Sequence, residues 1–283
     1  MRITDNLRKF HIDGAWVSPG PGAGSMAVLD PSTEEAFATV ALGTAADTEK
    51  AIMAARRAFD GWCATPAKER IAALKRIHDL YEARMEEIAE AISMEMGAPI
   101  GFAREAQAWA GIAHIGATIE AAEKFAWETS RGDTRIVHEG IGVCGLITPW
   151  NWPMNQIACK VAPAIVAGCT MVLKPSEIAP LSGVIFAEIV EEAGLPKGVF
   201  NLVSGTGPDV GQVLASHPEV DMVSFTGSTR AGVMVAQSAA PTVKRVAQEL
   251  GGKSPNIILP ESDFEAAVAA GADLCFANSG QSC

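Results

Sequence analysis

Gly142-Val143-Cys144-Gly145-Leu146-Ile147-Thr148-Pro149-Trp150-Asn151-Trp152-Pro153 is the stretch that decides the fold. Its first half is apolar or small, and its second half is a turn stiffened by two prolines. A short apolar run bounded by turn signals reads as a strand buried on both faces. The pattern recurs downstream. Helices are expected near 154–167, 180–193, 207–216, 228–239 and 262–276, and strands near 169–173, 199–203, 220–225 and 255–259. Alternation of this kind predicts an α/β fold, a doubly wound parallel sheet with helices on both faces. Ligands of such sheets bind beyond the carboxyl ends of the strands.

Upstream, His11 to Val17 reads as a hairpin turning at Asp13-Gly14, and a second strand pair flanks Asp30 to Thr33. Helices are expected near 46–62, 67–95 and 101–128. In the second, Ile71, Leu74, Ile77, Tyr81, Met85, Ile88 and Ile92 recur at steps of three and four, an amphipathic core-facing pattern. Strand-like residues near 135–138 lead into the decisive stretch.

The 283 residues are 48% hydrophobic and 19% charged, enough for a sizeable core and too apolar for disorder. A net charge of −11 argues against nucleic acid and anionic membrane as partners. The longest apolar stretch, Val161 to Leu173, is interrupted by Pro163 and Gly168 and is shorter than the roughly 20 residues of a membrane span. The first ten residues lack a hydrophobic signal segment. Six cysteines without a Cys-x-x-Cys spacing, and scattered histidines, suggest no metal site and a reducing, cytoplasmic compartment.

Five segments could carry chemistry. Asn151, held between Pro149 and Pro153, offers a stiffly mounted amide for an oxyanion, or a residue chosen for turn geometry. Lys174-Pro175-Ser176-Glu177 follows an apolar strand. Its lysine and glutamate could grip a ribose, or the segment could be a surface turn with Ser176 as cap. Gly205-Thr206-Gly207-Pro208-Asp209-Val210-Gly211 nearly matches a dinucleotide fingerprint, with one residue too many before the last glycine. Phe225-Thr226-Gly227-Ser228 ends a strand and opens a helix, a geometry that suits phosphate or simply an N-cap. Finally, Glu249 precedes the glycine-rich run Leu250-Gly251-Gly252, and Cys283 closes Asn278-Ser279-Gly280-Gln281-Ser282-Cys283. A thiol is a soft nucleophile and a carboxylate can activate water. Together they suggest a covalent thioester that water cleaves.

Pro-Trp-Asn, Leu-Lys-Pro-Ser-Glu, Phe-Thr-Gly-Ser, Glu-Leu-Gly-Gly-Lys and Gly-Gln-x-Cys occur in this order, and the chain closely resembles the aldehyde dehydrogenase superfamily over essentially its whole length. The resemblance implies a dinucleotide-binding domain over 1–250, with a segment near 129–142 used in oligomerisation, and the start of a catalytic domain over 251–283. It implies oxidation of an aldehyde to the acid, with Cys283 as nucleophile, Asn151 as oxyanion donor, Glu249 as base and Lys160 in proton relay. It implies NAD as cofactor, with NADP as a second choice, held by Ile147, Thr148, Pro149, Trp150, Lys174, Ser176, Glu177, Gly207, Phe225, Thr226, Gly227, Ser228, Leu250 and Gly251. Trp152 would line the substrate tunnel. A homodimer or homotetramer is expected at full length.

Members of that family continue well past the cysteine, so a polypeptide of these 283 residues alone is expected to be inactive. The alternatives from other classes are a non-catalytic nucleotide-binding relative and, as a third reading, a cofactor-free esterase.

Overall fold

The structure is a computed structural model that describes residues 3–282. The hairpin forms as expected, from β1 (Phe10–Ile12) and β2 (Ala15–Val17). Asp13 and Gly14 both take positive φ, the conformation a two-residue turn of this kind requires. β3 (Gly24–Asp30) and β4 (Glu35–Leu42) make a separate antiparallel pair. Helix α1 (Ala45–Cys63) starts in a reciprocal capping box between Thr44 and Asp47.

The single helix expected over 67–95 is two helices, α2 (Ala67–Ala83) and α3 (Met85–Met96). They break at Arg84, which leaves helical geometry at φ −109°, ψ 14° while its guanidinium binds Glu87 and Glu188 at 2.7 and 2.8 Å. The apolar stripe runs on through the break, with Tyr81, Ile88 and Ile92 all fully buried, so its spacing could not reveal the interruption. The helix expected over 101–128 is also divided. A short α4 (Ile100–Phe102) leads into a wide π turn (Ala103–Ala108) and then α5 (Trp109–Lys124). It ends early because Phe125 is extended, and β5 (Glu128–Arg131) and β6 (Thr134–Val137) follow as an exposed hairpin.

From β7 (Val143–Ile147) the alternation holds: α6 (Pro153–Ala167), β8 (Thr170–Lys174), α7 (Leu181–Glu192), β9 (Phe200–Leu202), α8 (Gln212–Ser216), β10 (Met222–Thr226), α9 (Thr229–Ala239), β11 (Arg245–Glu249) and α10 (Phe264–Phe276). β11 is not among the strands expected from the sequence, which place one at 255–259 instead. That segment has no strand partner among the described residues, and Ile257 and Leu259 are exposed. β11 pairs in parallel with β10, from Met222↔Arg245 to Thr226↔Glu249, and this register sets Glu249 level with the end of β10.

The sheet order is β11-β10-β7-β8-β9-β1-β2. Five strands are parallel, and the N-terminal hairpin extends them antiparallel through β1 and β9, an addition the sequence reading did not foresee. The period of two in β7 and β8 builds two cores. Val143, Ile147 and Val172 face one, packed with Ile52 of α1 and Leu214 of α8. Cys144, Leu146, Met171 and Leu173 face the other, packed with α6 and α7. Every residue of both strands is buried. Each large apolar side chain so placed contributes about 1.5–3 kcal/mol.

Candidate active site

From β7 the chain winds outward through β8 and β9, then returns to the other side of β7 for β10 and β11. Strand order therefore reverses between β7 and β10, and the crevice beyond their carboxyl ends is where such folds bind ligands. The loops after these strands meet there around a cleft of about 270 Å³. The expected residues Pro149, Trp150, Asn151, Thr226, Gly227, Glu249, Leu250 and Gly251 all line it, together with Gln281 and Ser282. Cys283 lies outside the described residues. Its two predecessors are tied to the cleft: the Asn151 side-chain amide donates to the Gln281 carbonyl at 2.9 Å, and the Trp152 indole N–H donates to Ser282 Oγ at 3.1 Å. Trp152 also meets Phe102 edge to face, with ring centroids 5.6 Å apart.

The carboxylate of Glu249 is presented by a strand end whose backbone is held by β10 and by a bond from Gly227 N–H at 3.0 Å. Lys160 approaches from α6 and donates to Ser224 Oγ at 2.9 Å. Burial lowers the pKa of this ammonium, while Cys159 and Glu249 pull it back up. Ser224 escaped the sequence reading, although one hydroxyl among Met222, Val223 and Phe225 was a visible irregularity.

Lys174 ends β8 and is 3% exposed. Its ammonium donates to Glu177 at 3.0 Å and to the Pro175 carbonyl at 3.1 Å. Burial lowers its pKa and Glu177 opposes the shift. Ser176 accepts from the Ile178 N–H at 3.3 Å, so its hydroxyl shapes the turn that sets this pair. Ser228 caps α9 by accepting from Ala231 N–H, in the same way.

The residues beyond the sheet suit a dinucleotide. The hydroxyls of Thr148 and Thr226 are buried without a hydrogen-bond partner among the described residues, and buried polar atoms ordinarily have one. Gly211 lies against Ile147 and Lys174, where an added Cβ would touch both at 3.8 Å, whereas Gly207 faces open space. The last glycine of the near-fingerprint therefore packs on the sheet, while Gly207 leaves room above its backbone. At Gly227 an added Cβ would fall 2.6 Å from the Phe225 ring, so the close approach there demands glycine. Two further residues were missed: Gln107 of the π turn and Asn278 are both buried and both bonded to the Asn151 carbonyl. No motif marks Gln107, whereas Asn278 opens the stretch that Cys283 closes. Among the described residues no group of three His, Cys, Asp or Glu could hold a metal, and no helix is long and apolar enough to cross a membrane.

Residues 16–283 match the aldehyde dehydrogenase family. A 3-succinoylsemialdehyde-pyridine dehydrogenase from a Pseudomonas species is 55% identical over 98% of this chain, which spans 58% of that protein. A cysteine-to-alanine variant of aldehyde dehydrogenase C from Pseudomonas syringae, solved with NAD+ and octanal, superposes with a TM-score of 0.96 at 54% identity, covering 99% of this chain and 58% of the other. The NAD+ complex of a Bacillus cereus aldehyde dehydrogenase gives 0.93 at 33% identity, covering 100% of this chain and 60% of the other. The chain therefore spans somewhat over half the length of the relatives it matches.

Proposed function

The chain belongs to the aldehyde dehydrogenase family, and from that premise we propose that the full-length protein oxidises an aldehyde to the carboxylic acid with NAD. The observation that carries this reading is the convergence of Asn151 and Glu249 on one cleft with Gln281 and Ser282, the residues that lead into Cys283. Cys283, as thiolate, adds to the carbonyl carbon. The Asn151 amide has two N–H groups. One is held by the Gln281 carbonyl, which leaves the other to receive the developing oxyanion. NAD, when bound, supplies the acceptor for the hydride that leaves this carbon. Glu249 then takes a proton from the water that cleaves the thioester, and Lys160 beside it passes the proton outward. The acid departs and the thiol is restored.

Lys174 and Glu177, preset as a pair, would hold the adenosine ribose, and Ser228 and Gly227 the pyrophosphate. The buried hydroxyls of Thr148 and Thr226 gain a partner at the same time. A carboxylate at Glu177 repels a 2′-phosphate by about 1–2 kcal/mol, which favours NAD over NADP. Trp152 and Phe102 give the aldehyde an apolar approach. A homodimer or homotetramer in the cytoplasm completes the reading, with the exposed β5–β6 hairpin available for association.

The test is product identity. Full-length protein incubated with NAD and an apolar aldehyde such as octanal should yield octanoic acid. Cys283→Ala should abolish that activity, by at least about a thousandfold, while retaining NAD binding. Release of octanoyl-coenzyme A in preference to the acid would overturn the assignment of Glu249 as base.

A further inference from the structure

Gln107 is fully buried. It sits in the π turn Ala103–Ala108, a form of backbone concentrated at functional sites. Its Nε2 donates to the Asn151 carbonyl at 3.0 Å and to Asn278 Oδ1 at 2.6 Å. Asn278 is buried as well, and its Nδ2 donates to the Asn151 carbonyl and to the Gln281 carbonyl, each at 3.0 Å. The Gln281 carbonyl also receives Asn151 Nδ2. The bonds form a closed circuit through Gln107, Asn278, Gln281 and Asn151. Each amide has one permitted orientation, because the Asn151 and Gln281 carbonyls only accept, and a flipped amide would set oxygen against oxygen.

The same stretch is strained. Asn278 and Ser279 lie at φ 55° and 56°, followed by Gly280 at 74°. Two consecutive non-glycine residues in the left-handed region persist only where their surroundings over-determine them. The amide circuit is that surrounding.

We propose that Gln107, acting through Asn278, is a positioning residue for the nucleophile: it fixes the loop 278–282, which leads into Cys283, against Asn151 in the cleft that Asn151 and Glu249 line. The proposal rests on reading Cys283 as the nucleophile and adds two residues that never touch substrate. Its logic is preorganisation. Without the Gln107 donors, the Asn151 carbonyl and Asn278 Oδ1 each lose a bond, the left-handed pair loses its restraint, and the loop that leads into Cys283 loosens against Asn151.

The experiment uses full-length protein and iodoacetamide, with alkylation followed at the Cys283 peptide by mass spectrometry. This reading needs no turnover. Gln107→Met keeps length and apolar bulk and removes both donors. It should slow Cys283 alkylation and lower kcat for aldehyde oxidation by about ten- to a hundredfold, with NAD affinity within about twofold of wild type. Asn278→Ala should do the same, and the double variant should lose no more than the worse single one, because both act through one circuit. Unchanged alkylation in Gln107→Met, or losses that multiply in the double variant, would overturn the proposal. So would a parallel loss of NAD affinity, which marks general damage. If Gln107→Met does not fold, Gln107→Asn, which withdraws the amide by one methylene, carries the same readings. A wild type that oxidises no aldehyde, but whose variants still alter alkylation, would sink the enzymatic reading and leave the positioning role standing.

Discussion

β8 and β11 each deliver a charged residue to the carboxyl edge of the sheet, and they do so by opposite means. β8 is buried along its whole length, and Lys174 at its end is enclosed with a carboxylate already in place. β11 is exposed except where Val246 is partly covered, and Glu249 is exposed at its end. Its position comes mainly from backbone pairing to β10, with the Gly227 N–H on the Glu249 carbonyl and the Gln248 amide on the Gly232 carbonyl of α9. A central strand fixes side chains by packing on both faces, whereas an outer strand fixes only its backbone. The first arrangement suits a residue whose task is to hold a ligand. The second suits a base, which must reach water and turn toward its target.

The sharpest way to break this contrast is to shorten a side chain on its buried side. Leu173→Ala in β8 removes a fully buried side chain and should cost about 2–5 kcal/mol in chemical denaturation. A loss below about 1 kcal/mol would mean that the central strands are not rigidly packed.

A smaller effect concerns Lys160, which reaches from the buried side to Glu249. Its folded pKa is lowered from 10.5, chiefly by burial. The unfolded chain therefore keeps this proton to higher pH than the folded one does. Between the two values the unfolded state binds more protons, so stability rises with pH. In Lys160→Met that rise should be weakened, and thermal melts between pH 8 and 10 will read it. An unaltered slope would show that the lysine is as solvated as an ordinary one. The least effect is expected at Lys124, which pairs with Glu120 on the exposed face of α5, where Lys124→Ala should change stability by no more than about 0.5 kcal/mol.

The same contrast explains what could be read from the sequence. The doubly wound arrangement was legible because β7, β8 and α6 carry their burial in their composition. Apolar runs such as Met171 to Leu173 allow few other readings. β11 was not legible, since Arg245, Gln248 and Glu249 leave only Val246 and Ala247 as apolar members, and its strand character comes from pairing with β10. The break at Arg84 was hidden because a helical stripe can continue across a kink. In the cleft, residues within sequence motifs were found in advance. Gln107 lies outside every motif, and Asn278, although it opens the stretch that Cys283 closes, shows no sign of its partner, because what unites them is a hydrogen-bond circuit between segments far apart in the chain.

The N-terminal hairpin has a consequence for the order of folding. It is made first, but its place in the sheet is beside β9, which begins at Phe200. An isolated two-stranded hairpin is marginal in water, so β1 and β2 must wait unanchored until most of the sheet exists. Long-range pairings of this kind are slow to form. Docking of the hairpin should therefore be among the last events of folding, and on the ribosome its strands remain open to proteases and chaperones long after they have emerged.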